Sequence, residues 1–209
     1  MQVLARLIDV LGRTCAGLPD KRVGENAHYS MRDIALAGFS IFFMQSPSFL
    51  AHQRRLAKGY GQSNCETLFD VTAVPSDNHV RSMLDPVSPD AFHPVFETVL
   101  EEIDHADRLA PFRRLGGHTL IALDGTEYFT SSKIHCSNCS QRRRSNGRMD
   151  YFHTMLSATL VAPGHREVVP LAPEFIAPQD GADKQDCEQR AVHRWLDRHG
   201  ETYSRLAPI

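Results

Sequence analysis

The feature that most constrains this chain is a change of hydrophobic period at Leu115-Gly116-Gly117. Before it, apolar residues recur at helical spacing. After it, they fall in short, dense or alternating runs with the composition of strands. A chain with that order is an α/β protein, α+β in the part covered here. A helical N-terminal region over residues 1–112 precedes a sheet-containing domain over residues 113–209.

In the helical part, Val3, Leu4, Leu7, Ile8 and Leu11 fit one face of an opening helix. Ser46-Pro47 and Ser88-Pro89 each place a capping hydroxyl before a proline at the first helical position, where the missing N–H costs nothing, so each is predicted to open a helix. The second of these carries Phe92, Val95, Phe96, Val99, Leu100 and Ile103 on one stripe, with Glu97, Glu101, Glu102 and Asp104 mostly off it. Ser76-Asp77 caps a short helix running to about Leu84. Residues 53–84 then hold two short helices joined by Gly59-Tyr60-Gly61, a pattern weakly compatible with helix-turn-helix.

In the second part, residues 118–128 (HTLIALDGTEY), 151–161 (YFHTMLSATLV) and 167–171 (EVVPL) read as three antiparallel strands, with Pro163-Gly164 turning between the last two. Residues 183–198 read as a helix with Cys187, Ala191, Trp195 and Leu196 inward, stopped by Gly200. The first strand is apolar almost throughout at Leu120, Ile121, Ala122 and Leu123, the composition of a central strand covered on both faces. It has one evident neighbour, and an uncovered apolar edge invites aggregation, so a further partner strand is expected. The chain ends about where a fourth strand, parallel to the first, should begin.

Charge and cysteine usage narrow the function. A formal net charge of -2 excludes a globally basic nucleic-acid binder, so any such contact is local. Residues 131–149 hold five cations (Lys133, Arg142, Arg143, Arg144 and Arg148) and no acid. A loop of that character either is a solvated arginine-rich loop or grips the phosphates of a DNA backbone without reading sequence. Residues 85–107 carry seven acids and no Lys or Arg, so that helix should not lie on phosphate. Five cysteines and no secretory leader point to a reducing cytoplasm. No apolar run approaches the roughly 20 residues that span a bilayer.

Asp124 closes the apolar run and precedes Gly125. Its carboxylate could hold a divalent ion where the strand leaves the core, or simply cap a turn. Glu127, an odd number of positions on, faces the other side of an extended strand. Cys136 and Cys139 form a CxxC, half of a zinc site. His135, His153 or Cys187 would have to complete it, and the alternative is a pair of reduced thiols in a loop.

The run LIALDGTEYFTSSKIHCSNC, followed by YFHTMLSATLVAPGHREVVPLAPEFIAPQDGADKQDCEQRAVHRWL, resembles DDE-type transposases of bacterial insertion sequences over roughly residues 65–209. The resemblance implies a ribonuclease H-like catalytic domain of three antiparallel strands, a helix and further parallel strands. It implies Mg²⁺ or Mn²⁺ as cofactor, cleavage and strand transfer in DNA transposition as the reaction, and transposon-end DNA as partner. Asp124 is then the first acid of the triad. The second acid and the glutamate belong to later elements that this sequence does not reach, so Asp180, Asp186 and Glu188 are not promoted to the triad. The expectation is a truncated copy, inactive alone, in the bacterial nucleoid. The alternative is a non-catalytic fragment that binds DNA, or that pairs with intact transposase and inhibits it; the partners expected besides DNA are a second copy of the chain or intact transposase.

Overall fold

The computed structural model describes residues 2–23, 27–58, 64–114, 116–178 and 186–206. Contacts divide the chain into two compact units, Met1–Thr98 and Val99–Ile209. Helices followed by an antiparallel sheet make it α+β, as the change of period requires.

The first unit is helical. It contains α1 (Gln2–Ala16), α2 (Met31–Phe43), α3 (Phe49–Lys58), α4 (Asn64–Thr67) and α5 (Asp77–Leu84), and a 3-10 turn over Pro89–Phe92 leads into α6 (His93–His105). The α2 helix is apolar around most of its circumference and is buried accordingly, with Ile34, Leu36 and Ala37 fully inaccessible. Its start is closed by a reciprocal capping box: the Asp33 N–H donates to Ser30 Oγ at 3.0 Å, and the Ser30 N–H donates to Asp33 Oδ2 at 3.3 Å. The core around α2 is completed by Cys15, Leu18, Cys65, Phe69, Val71, Val80 and Met83.

Ser76 caps α5, accepting from the His79 N–H at 3.3 Å, and Ser88 caps the turn before α6. Ser46-Pro47 does not open α3. Ser48 accepts from the Ala51 N–H at 3.1 Å and caps that helix instead, while Ser46 Oγ is held 3.0 Å from His52 Nδ1. A buried imidazole needing two partners captured the first serine, and the next hydroxyl took over the cap. The Gly59-Tyr60-Gly61 turn lies outside the described residues, and α4 is a single turn. Glu102, expected off the apolar stripe of α6, is buried.

The second unit is built on β1 (Leu120–Ser131), β2 (Ser140–Arg143), β3 (Met149–Val161), β4 (Val169–Pro170), β5 (Glu174–Ile176) and α7 (Glu188–Leu206). The central strand is β3. It pairs with β1 along one edge (Leu120↔Val161 through Ser131↔Tyr151) and with β2, β5 and β4 in succession along the other. The apolar first strand is therefore not central among the described residues: β1 is hydrogen-bonded to β3 alone. The third predicted strand is real but broken. Val169–Pro170 pairs where residues 167–171 were expected, the Leu171 N–H still donates to the Ala158 carbonyl at 2.9 Å, and pairing resumes at Glu174–Ile176 beyond Pro173, which has no N–H to give to a ladder.

Antiparallel partners share a face, and faces alternate along β3. Leu156, Ala158 and Leu160 are buried on the face that α7 covers, opposite the half-buried Met155, Ser157 and Thr159. The α7 helix begins at Glu188 rather than at residue 183, which lies outside the described residues, and it runs through Gly200 to Leu206. A helical glycine costs about 1 kcal/mol. Burial of Trp195, His199 and Tyr203 on either side of it outweighs that: the Trp195 Nε1–H donates to the Ala172 carbonyl at 2.7 Å, and Tyr203 Oη accepts from the Ala172 N–H at 2.9 Å. Cys187 precedes the helix and is exposed, and Leu196 is also exposed, so neither faces inward as expected.

Candidate functional site

Asp124 does not end a strand or cap a turn. Pairing continues from Asp124↔Ser157 through Gly125↔Leu156 to Ser131, so the carboxylate stands mid-strand, exposed, on the face away from α7. It has no hydrogen-bond or ion-pair partner among the described residues. Strands disfavour aspartate, and here the backbone is held in the ladder while the carboxylate makes no contact among the described residues that stabilises it. Gly125 faces the other way, under α7. A methyl group there would overlap the Glu188 side chain, which accounts for a residue without Cβ at this position. Glu127 also lies on the α7 face, opposite Thr154, as its spacing from Asp124 predicts.

The other acids of the family-like segment separate cleanly. Asp180 lies outside the described residues. Asp186 is buried and receives both terminal nitrogens of Arg194 at 2.8 Å, with the Cys187 and Ala177 N–H groups at 3.0 and 3.3 Å. Burial pushes its carboxyl up, but the Arg194 hydrogen bonds and charge outweigh this and hold it below the usual range. Arg194 Nε also donates to Glu174 at 2.7 Å, and Arg198 donates to the same carboxylate at 3.2 Å. This buried network ties the start of α7 to β5 and is a folding element.

The arginine-rich segment is not a loop. Residues 140–152 form a β-hairpin of β2 and the first four residues of β3, closed by a turn in which Gly147 adopts φ +81°. Strand alternation sorts its cations. Arg142 lies on the α7 face, 3.2 Å from Glu127 and over the Phe152 ring at 4.8 Å. Arg144 pairs with buried Asp150, and Arg148 donates to Ser132 Oγ. Arg143, opposite Met149, faces the Asp124 side, and neither it nor Lys133 has a side-chain partner among the described residues. Asp124 and Arg143 thus share a face, separated by eight residues of β3, on the order of 27 Å.

Between β1 and β2, the chain turns so that the Cys136 N–H lies 3.3 Å from Cys139 Sγ. The two sulfurs stand 3.8 Å apart, and His153 Nε2 lies 3.3 Å from Cys136 Sγ and 3.2 Å from Cys139 Sγ. Of the candidates to complete the CxxC, the fold selects His153. The His135 ring instead stacks on Tyr151 at 4.3 Å, and neither it nor Cys187 joins the group. Tyr128 and Phe129, at a bulge in β1, wall the imidazole with ring centroids at 5.8 Å. Burial holds the His153 imidazole below its ordinary pKa, hence neutral near pH 7, and pushes the Cys139 thiol up.

These groups are the only described residues that gather three potential metal ligands. Asp124 belongs to no such group, so the described residues supply one hard oxygen ligand and not a two-metal centre. No family model matches the chain, and neither the curated proteins nor the solved structures yield a match. Among the described residues, no helix is long and apolar enough to cross a membrane.

Proposed function

We propose that this protein acts on DNA as a relative of DDE-type insertion-sequence transposases, with a ribonuclease H-like second unit in which Asp124 is a divalent-ion ligand. The observation that carries this reading is the Asp124 carboxylate itself: mid-strand, exposed, and without a side-chain partner among the described residues. The order β1, β3, a broken third strand and α7, together with the LIALDGTEYF and DKQDCEQ wording, supports it. In this reading the arginine hairpin lies along the phosphate backbone and transposon ends are the partner. A Mg²⁺ or Mn²⁺ ion at Asp124 would polarise a phosphodiester oxygen.

The test is Mn²⁺ binding by electron paramagnetic resonance in a complex with duplex DNA. Wild type should retain a bound ion that Asp124→Asn loses while duplex affinity stays within about twofold, about 0.4 kcal/mol. Equal ion retention by both proteins would sink the assignment.

A second reading, a DNA-binding protein without turnover that blocks element ends or pairs with intact transposase, is favoured by one observation. Asp124 has no cluster of further ligands around it among the described residues. Incubation with supercoiled DNA and Mg²⁺ or Mn²⁺ separates the two: this reading expects binding and no nick. Nicking that disappears in Asp124→Ala would overturn it.

A further inference from the structure

We infer that Cys136, Cys139 and His153 form a zinc site that staples the open end of the arginine hairpin. A tetrahedral zinc ion takes thiolates at about 2.3 Å and an imidazole nitrogen at about 2.0–2.1 Å, which sets the two sulfurs about 3.8 Å apart and each sulfur about 3.5 Å from the nitrogen. The sulfurs here are 3.8 Å apart, with sulfur–nitrogen separations of 3.3 and 3.2 Å, so a few tenths of an ångström of opening completes the set. The same 3.8 Å is far beyond the 2.03–2.05 Å of a disulfide bond. Cys136 also starts no helix whose N-terminus would activate it for thiol redox chemistry. Two thiolates and an imidazole suit zinc above Mg²⁺ or Ca²⁺, which prefer oxygen. Cys136 is exposed, so water reaches the fourth position.

The place of the site in the fold gives it a purpose. Ser140↔Phe152 is the last pair of the hairpin at its open end, and Cys139 and His153 are the residues immediately outside that pair. Within the sheet, β2 is a four-residue edge strand paired, among the described residues, with β3 alone, the arm of the hairpin with least to hold it. An ion bonded to both flanking residues closes a loop that contains Arg142, Arg143, Arg144 and Arg148 and fixes the strand register on which their alternation depends. Zinc therefore sets which arginines point outward. This holds whether or not the protein acts on DNA.

Metal analysis of protein purified without chelator should give one zinc per chain. Cys136→Ser, Cys139→Ser and His153→Ala should each lower it to well under half, and Cys187→Ser should leave it unchanged. Because the first three variants could misfold, the folded, metal-stripped wild type is also titrated with Co²⁺. Thiolate-to-cobalt charge transfer and the d–d bands of tetrahedral cobalt should saturate at one equivalent. Zinc loading should slow amide exchange across residues 140–152 at least several-fold. Absence of stoichiometric zinc with no thiolate–cobalt band overturns the site, as does undiminished zinc in Cys136→Ser/Cys139→Ser. An unchanged exchange rate in zinc-loaded protein overturns the stapling.

Discussion

Arg194, two turns into α7, closes a bidentate bridge onto Asp186, just before the helix begins, with both nitrogen–oxygen distances at 2.8 Å. The arginine's third nitrogen goes to Glu174 on β5. Both acids are almost fully buried, so the guanidinium is what makes their charge tolerable there.

Removing that cation leaves two buried carboxylates short of their main partner. Arg194→Ala should destabilise the second unit by about 3–5 kcal/mol. Urea unfolding followed by Trp195 fluorescence measures it. A loss below about 1 kcal/mol would show the network to be solvated and dispensable.

The cations of the hairpin should not behave alike toward DNA. Each phosphate contact contributes about -0.9 to the slope of log K against log salt. Lys133 and Arg143 lack protein partners among the described residues, so Lys133→Ala/Arg143→Ala should flatten the slope by about 1.8 with no change in thermal midpoint. Arg144→Ala should instead lower the midpoint, because it strips the counter-charge from buried Asp150. Anisotropy titrations at several salt concentrations, beside thermal melts, give both readouts. Equal slopes for wild type and the double variant would contradict the proposed role of these cations.

His52 in the first unit is buried between Ser40 Oγ at 2.9 Å and Ser46 Oγ at 3.0 Å. Burial first, and Arg55 second, hold its pKa below the ordinary 6.5. The unfolded state therefore binds the extra proton more readily. The stability this residue contributes is present above about pH 6.5 and is lost as pH falls through that value toward the folded pKa. The unfolding midpoint of wild type should drop between pH 7 and pH 5, and that drop should be shallower in His52→Gln. Parallel pH profiles for the two proteins would show that His52 does not titrate on unfolding.

Gly125→Ala should cost about 1–3 kcal/mol, since the new methyl must displace the Glu188 side chain from beneath α7. Adding Glu188→Ala should recover most of the loss. A double-mutant cycle by denaturant unfolding checks the coupling, and strict additivity would place the cost elsewhere.

Much of the architecture is legible in the residues themselves. The caps at Ser76 and Ser88, the strands over residues 118–128 and 151–161 and the opposition of Asp124 and Glu127 follow from neighbours a few positions away. What escaped were features set by pairing. Residues 140–143 read as loop because Ser140-Gln141-Arg142-Arg143 has no apolar alternation, and only the ladder to β3 makes them a strand. The helix passes Gly200 because Tyr203, beyond it, has a buried partner in Ala172, 31 residues earlier. The apolar run stops at Asp124, so the sequence reads as a strand end there, yet Ser157 and Leu156 hold Asp124 and Gly125 in the ladder. Spacing alone does not choose among His135, His153 and Cys187 as the partner of Cys136 and Cys139; the β1–β3 pairing does.

The sequence by itself determined where helix gives way to sheet, which strands are apolar, and that cations and thiols gather between the first two of them. Those properties depend on local periodicity and composition. Only the tertiary structure decided that β3 is central, that Arg142 and Arg144 are tied down while Arg143 is not, and that His153 completes the thiol pair. Each of these depends on register across a sheet, where a shift of one residue sends every side chain to the opposite face.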